Sequence, residues 1–151
     1  MVEIEKRIEA TPEEFFSKIE ESLLQSIKQA TGKKPDPAQL KGFKFATVVR
    51  NGTDKVRVKA KITAWEPPER YEARFTSAEG VNSLGYRISA LDDEHIEVGY
   101  FEEFRPNAPK TGPMVGVSKK LNDRRIKSKA KRMLRDIEEA VKIERRMGRT
   151  S

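Results

Sequence analysis

The chain has 151 residues, 36% apolar and 36% charged, with a net charge of +7 and no cysteine. Such a length makes one domain, residues 1–151, that buries roughly two-thirds of its unfolded surface and needs no covalent staples. The missing cysteines exclude a disulfide framework, a thiolate nucleophile and a cysteine zinc site, and with no signal-like leader or apolar run near ~20 residues the expected compartment is the cytoplasm.

In chain order, Val2, Ile4 and Ile8 alternate with Glu3, Glu5, Arg7 and Glu9, the pattern of a half-buried strand, with Lys6 interrupting its apolar side. Thr11-Pro12-Glu13-Glu14 then supplies an N-cap threonine, a proline at the first helical position and a glutamate that closes a capping box. The helix it starts carries Phe15, Phe16, Ile19, Leu23, Leu24 and Ile27 on one face and stops at Gly32, a left-handed cap. A short second turn begins at Asp36-Pro37 and runs to Leu40.

From Gly42 the apolar period switches from near 3.6 to 2. Residues 43–50 and 55–65 read as a hairpin about Asn51-Gly52, with Val56, Val58, Ala60, Ile62 and Ala64 on one face of the second strand. Glu66-Pro67-Pro68-Glu69 breaks that strand, since proline cannot donate to a ladder. Three more strands follow at 70–77, 81–91 and 95–105. Their inward positions are Tyr71, Ala73 and Phe75, then Leu84, Tyr86, Ile88 and Ala90, then Ile96, Val98, Tyr100, Glu102 and Phe104. Residues 106–116, with three prolines and two glycines, read as the longest irregular loop.

Residues 117–147 read as one long helix. Ile126, Ala130, Met133, Leu134, Ile137 and Val141 share a face, and lysine and arginine fill the remaining arc. The net charge is concentrated here: residues 119–135 hold nine lysines and arginines and one acid, Asp123. The class is therefore α+β: a strand, a helix or helix pair, a five-strand meander with short connections and so an antiparallel sheet, and a long helix across one face.

This order resembles the helix-grip fold of the START-like (SRPBCC, Bet v 1-type) superfamily, over nearly the whole chain. Trp65-Glu66-Pro67-Pro68-Glu69-Arg70 looks like the hairpin of many small members, and residues 15–42 and 65–91 look like a bacterial START-like family that carries only a domain-of-unknown-function label. The resemblance implies a curved antiparallel sheet of about six strands wrapped around the C-terminal helix. It also implies a cavity between the two for a small apolar or amphipathic molecule. It brings no catalytic residue and no cofactor.

The chemistry in the residues is sparse. His95, the sole histidine, sits at a hairpin beside Asp92, Asp93 and Glu94, where a turn is the ordinary reason for acids, and no HxxxH or CxxC spacing supports a metal. Gly112 to Gly116 lacks the lysine of a phosphate loop. The inward aromatics stand beside inward Ala60, Ala64, Ala73 and Ala90, a mixture that either leaves a void under the long helix or is filled by Phe15, Phe16, Leu23, Met133 and Ile137. If a void forms, Ile62, Phe75, Tyr86, Tyr100, Glu102, Phe104, Met133 and Ile137 are the expected ligand-binding residues. Lys6 and Glu102 break the inward pattern, and either turn to water or meet as a polar contact at one end of the cavity.

The basic helix has three readings: a solvated face, a nucleic-acid contact or an anionic-surface contact through Arg124, Lys127, Lys131 and Arg135. Arg57, Lys59 and Lys61 add a basic row on the outer sheet face, where Glu72, Glu97 and Glu103 share the parity and are expected to neutralise it across strands. The leading expectation is ligand binding without catalysis. Nucleic-acid or anionic-surface binding, and an interaction module with a filled core whose simplest form is a homodimer, are the alternatives.

Overall fold

A computed structural model describes residues 1–51, 53–107 and 115–150. The elements are β1 (Val2–Glu9), α1 (Pro12–Thr31), a 3-10 turn at Pro37–Gln39, β2 (Lys44–Asn51), β3 (Asp54–Glu66), β4 (Arg70–Thr76), β5 (Gly80–Ala90), β6 (His95–Pro106) and α2 (Val115–Thr150). The six strands form one antiparallel sheet in the order β1-β6-β5-β4-β3-β2, so the first strand closes on the last and β2 is the far edge. The expected turn at Asn51-Gly52 and the loop at 106–116, with the glycine stretch 112–116, lie partly or wholly outside the described residues.

Local chemistry sets the start of α1. Thr11 Oγ1 accepts from the Glu14 amide at 3.1 Å and the Glu14 carboxylate accepts from the Thr11 amide at 2.8 Å, while Gly32 closes the other end at φ 76°. Phe15, Phe16, Ile19, Leu23 and Ile27 are buried and enter one core with the inner face of the sheet. An aromatic chain runs through that core: Phe16 on Trp65 (4.8 Å between centroids), Trp65 on Tyr71 (5.7 Å), Tyr71 on Tyr86 (6.2 Å) and Tyr86 on Tyr100 (5.0 Å).

Two parity expectations fail for one reason each. A register shift between Ile62 and Ala64 places Ala64 opposite the outward Glu72 and Trp65 opposite Tyr71, so Trp65, not Ala64, continues the inner face. An extra residue in one strand exchanges its two faces beyond that point. Ala90, the last residue of β5, is exposed at the strand end.

The long helix begins at Val115 rather than 117 and is rotated slightly from the expected line. Ala130, Leu134 and Val141 are fully buried, whereas Ile126, Met133 and Ile137 are only partly buried against the core. Its C-terminal half is clamped. Arg145 reaches Glu14 through Nε (2.7 Å) and a terminal nitrogen (2.5 Å), Lys18 pairs with Glu144, Lys142 Nζ lies 3.5 Å from Glu9, and the Glu9 amide donates to Glu138 at 2.8 Å. The Arg145 guanidinium, aided by the Thr11 amide, holds the Glu14 carboxyl at about 2 against an ordinary 4.5. That contribution to stability is present above pH 4.5 and fades as the pH falls toward 2.

Leu134→Ala is expected to cost about 2–5 kcal/mol in urea unfolding, as for a fully buried leucine. Met133→Ala, at a half-buried position, should stay near ~1 kcal/mol. Equal losses from the two substitutions would contradict the rotation of α2 described above.

Candidate functional site

The rotation of α2 leaves an opening. Between the inner face of β2–β5 and the two helices lies a trough of about 1100 Å³, walled by Phe45, Val49, Phe75, Leu84, Met133 and Ile137 among others. A second compartment of about 520 Å³ adjoins it under the N-terminal half of α2. The two share Val49, Phe75, Leu84, Tyr86, Lys129 and Met133 as common walls, so they lie side by side.

The second compartment has a polar corner. Tyr100 donates its phenol to one Glu102 oxygen, and Asn82 Nδ2 donates to the other at 3.2 Å. The register explains how Glu102 comes to face inward here: it pairs with Val2 on one side and Leu84 on the other, at the inner parity of β6. Toward the middle of the space, the Tyr86 hydroxyl donates to Met133 Sδ at 2.9 Å, which ties α2 to the centre of the sheet. Burial pushes all three tyrosines up: Tyr71 to about 12, Tyr86 further with Tyr71 and Glu102 nearby, and Tyr100 further still with its bond to Glu102.

Of the two alternatives for Lys6 and Glu102, the polar contact between them does not form. Lys6 stands opposite Val98 and Glu102 opposite Val2, four residues apart along β6, or about 13 Å at the usual strand rise.

The remaining sequence candidates fall in different places. Phe75, Tyr86 and Met133 wall both compartments; Ile137 walls the larger; Tyr100, Glu102 and the half-exposed Phe104 wall the smaller. Ile62 is buried in the packed core behind them. Arg124, Lys127, Lys131 and Arg135 lie on the exposed arc of α2, where they have no ion-pair partner among the described residues.

The sequence pattern assigns Arg125, Lys129 and Arg132 to that same solvated arc. The structure instead puts them along the rim of the trough, at i, i+4 and i+7 beside Ile126, Ala130 and Met133. Their spacing next to the apolar line is the signal that marks them.

The His95 corner is a turn. Asp92 Oδ1 accepts from the Glu94 and His95 amides at 2.8 Å each, and the His95 ring lies 2.9 Å from it. Those amides, with the ring, hold the Asp92 carboxyl below its ordinary range. Among the described residues no three histidines, aspartates or glutamates gather where they would hold a metal ion, and no helix is long and apolar enough to cross a membrane.

The family model described as "Domain of unknown function (DUF3284)" matches residues 2–112. Solved structures with the same fold include a START superfamily protein from Mycobacterium smegmatis (13% identity over 92% of this chain and 97% of that one, TM-score 0.62). A protein from Thermus thermophilus has 16% identity, coverage of 95% and 97%, and TM-score 0.61. Ara h 8.0201 has 14% identity, coverage of 92% and 95%, and TM-score 0.58. At these identities the likeness establishes the START/Bet v 1 fold alone. No curated protein matches the sequence significantly.

The three tyrosines are the only ones in the chain, so their titration reads this site without labels. Absorbance at 295 nm should show no phenol ionising near pH 10, and the fold should lose stability as pH rises above 10, because only the unfolded chain releases those protons there. A tyrosine titrating near pH 10 in the folded protein would contradict the burial described above.

Proposed function

The chain belongs to the DUF3284 family, and on that premise we propose that it is a START-like binding protein that holds an amphipathic small molecule between sheet and α2. The observation that carries this reading is the trough with its adjoining compartment. Its larger part, about 1100 Å³, has the scale of a small-molecule site and is walled mainly by aromatic and aliphatic side chains. An apolar body would lie along Phe75, Leu84, Tyr86, Met133 and Ile137. A negatively charged head would meet Lys129 and Arg132 at the rim, which have no acidic partner among the described residues. A hydroxyl or amine at the inner end would find the spare lone pairs of Glu102 beside Tyr100 and Asn82.

These features support binding rather than catalysis, since Glu102 is already engaged by two donors. The open space supports a ligand site over an interaction module with a filled core. The exposed Arg124, Lys127, Lys131 and Arg135 are read as a solvated helix face.

Calorimetric titration with decanoate and decanol tests the reading. Decanoate should bind more tightly than decanol. Lys129→Glu with Arg132→Glu should weaken decanoate several-fold, up to about tenfold, and leave decanol unchanged. Leu84→Trp, which fills the centre of the space, should abolish both. Failure of the wild type to bind either molecule, or unchanged binding by Leu84→Trp, would contradict the proposal.

A further inference from the structure

The outer face of the sheet carries a second feature, independent of the trough. Lys44, Lys61 and Arg74 stand directly opposite one another across β2, β3 and β4. Lys59 and Arg57 continue the same parity along β3, opposite Ala46 and Val48. The acids expected to neutralise this row are engaged elsewhere or distant. Glu72 pairs with Arg70 and Glu103 with Arg105, each on its own strand, and Glu97 lies opposite Arg7 and Ser89 at the other side of the sheet. None of the five cations has an ion-pair partner among the described residues.

Like charges directly across strands destabilise a sheet. Elsewhere on the sheet Arg7 faces Glu97, and Arg70, which faces Arg87, has Glu66 and Glu72 as ion-pair partners. A cationic row retained against that cost points to an anionic partner that supplies the missing charge.

The geometry narrows the partner. β3 begins to pair with β4 only at Lys59, opposite Thr76, so the segment of β3 before it is paired with β2 alone. The hairpin therefore projects from the sheet as a two-stranded ribbon with Arg57 on its outer face. A two-stranded ribbon is a shape the major groove of duplex DNA admits, whereas the A-form groove of RNA is too narrow. The cationic face carries no aromatic side chain among these positions to insert into a lipid leaflet, and Val48 is its one large exposed aliphatic.

We propose that the outer face of β2–β4 binds the phosphate backbone of double-stranded DNA through Lys44, Arg57, Lys59, Lys61 and Arg74. These are phosphate-contacting groups: the carboxylate on this face of β4, Glu72, is held by Arg70, and no asparagine or glutamine stands at the outward positions of the row. The binding is accordingly independent of sequence and strongly dependent on salt.

Fluorescence anisotropy with a 20-base-pair duplex of arbitrary sequence tests this. With about four phosphates neutralised, binding should be micromolar at 50 mM salt and fall about 100-fold by 200 mM, a logarithmic slope of roughly −3 to −4. Lys59→Glu with Lys61→Glu should abolish it, and Lys127→Glu with Lys131→Glu on α2 should not. Because Lys61 stands between two cations, Lys61→Glu should have an equal or higher Tm, which verifies that loss of binding is not loss of fold; Lys59→Gln with Lys61→Gln, expected to bind at least tenfold more weakly, is the milder pair. No binding at 50 mM salt would overturn the proposal. So would loss only in the α2 variant, equal binding by the charge-reversed sheet, or binding to vesicles of phosphatidylserine without binding to DNA.

Discussion

Glu14 joins two parts of the chain with one carboxylate. It closes the capping box that starts α1, and its two oxygens also hold the Arg145 guanidinium near the far end of α2. A side chain fixed by a cap is a pre-ordered acceptor, so the ion pair is formed with less loss of side-chain freedom than two free surface groups would suffer. Lys18–Glu144, Lys142–Glu9 and the Glu9 amide on Glu138 add to it, and Val141, one turn before Arg145, is fully buried. The C-terminal half of the long helix is therefore fixed against β1 and α1. Over residues 121–133 the helix is held by the fully buried Ala130, the partly buried Ile126 and the Tyr86–Met133 contact, while Arg125, Lys129 and Arg132 line open space.

That asymmetry explains why the trough lies where it does. A helix pinned along its whole length by Ile126, Met133 and Ile137 would sit down on the sheet and close the space. Pinned by Ala130, Leu134 and Val141 instead, it leaves those three larger side chains as one wall and brings Arg125, Lys129 and Arg132 to the rim. The charge that the composition concentrates in residues 119–135 then divides into two roles by position on the helix: a rim that faces the trough and an arc that faces solvent.

The elements written in local chemistry were legible in the sequence. The Thr11–Glu14 box, the Gly32 cap, the period-2 strands and the proline turn at 67–68 each announce themselves within a few residues, and the structure has them at those places. What depends on distant partners was not legible. The bulge before Ala64 carries no glycine to mark it, yet it decides that Trp65 faces the core. The Glu14–Arg145 pair spans 131 residues, and nothing near either residue names the other. The rotation of α2 by a fraction of a turn follows from those clamps, and the broad apolar stripe from Ile126 to Val141 fits either rotation. The outer face shows the same limit. Parity correctly put Arg57, Lys59 and Lys61 together, but only the register reveals that the neighbours of Lys61 are Lys44 and Arg74 rather than an acid.

The central claim is that α2 is clamped at one end and stands open over the trough at the other. Amide hydrogen exchange followed by mass spectrometry measures this along a single helix. Residues 134–145 should exchange with protection close to that of the central strands, and residues 121–129 should exchange at least tenfold faster through local opening that leaves the rest folded. Uniform protection from 121 to 145 would contradict the account, because it would mean that the N-terminal half of α2 is packed as firmly as the clamped half.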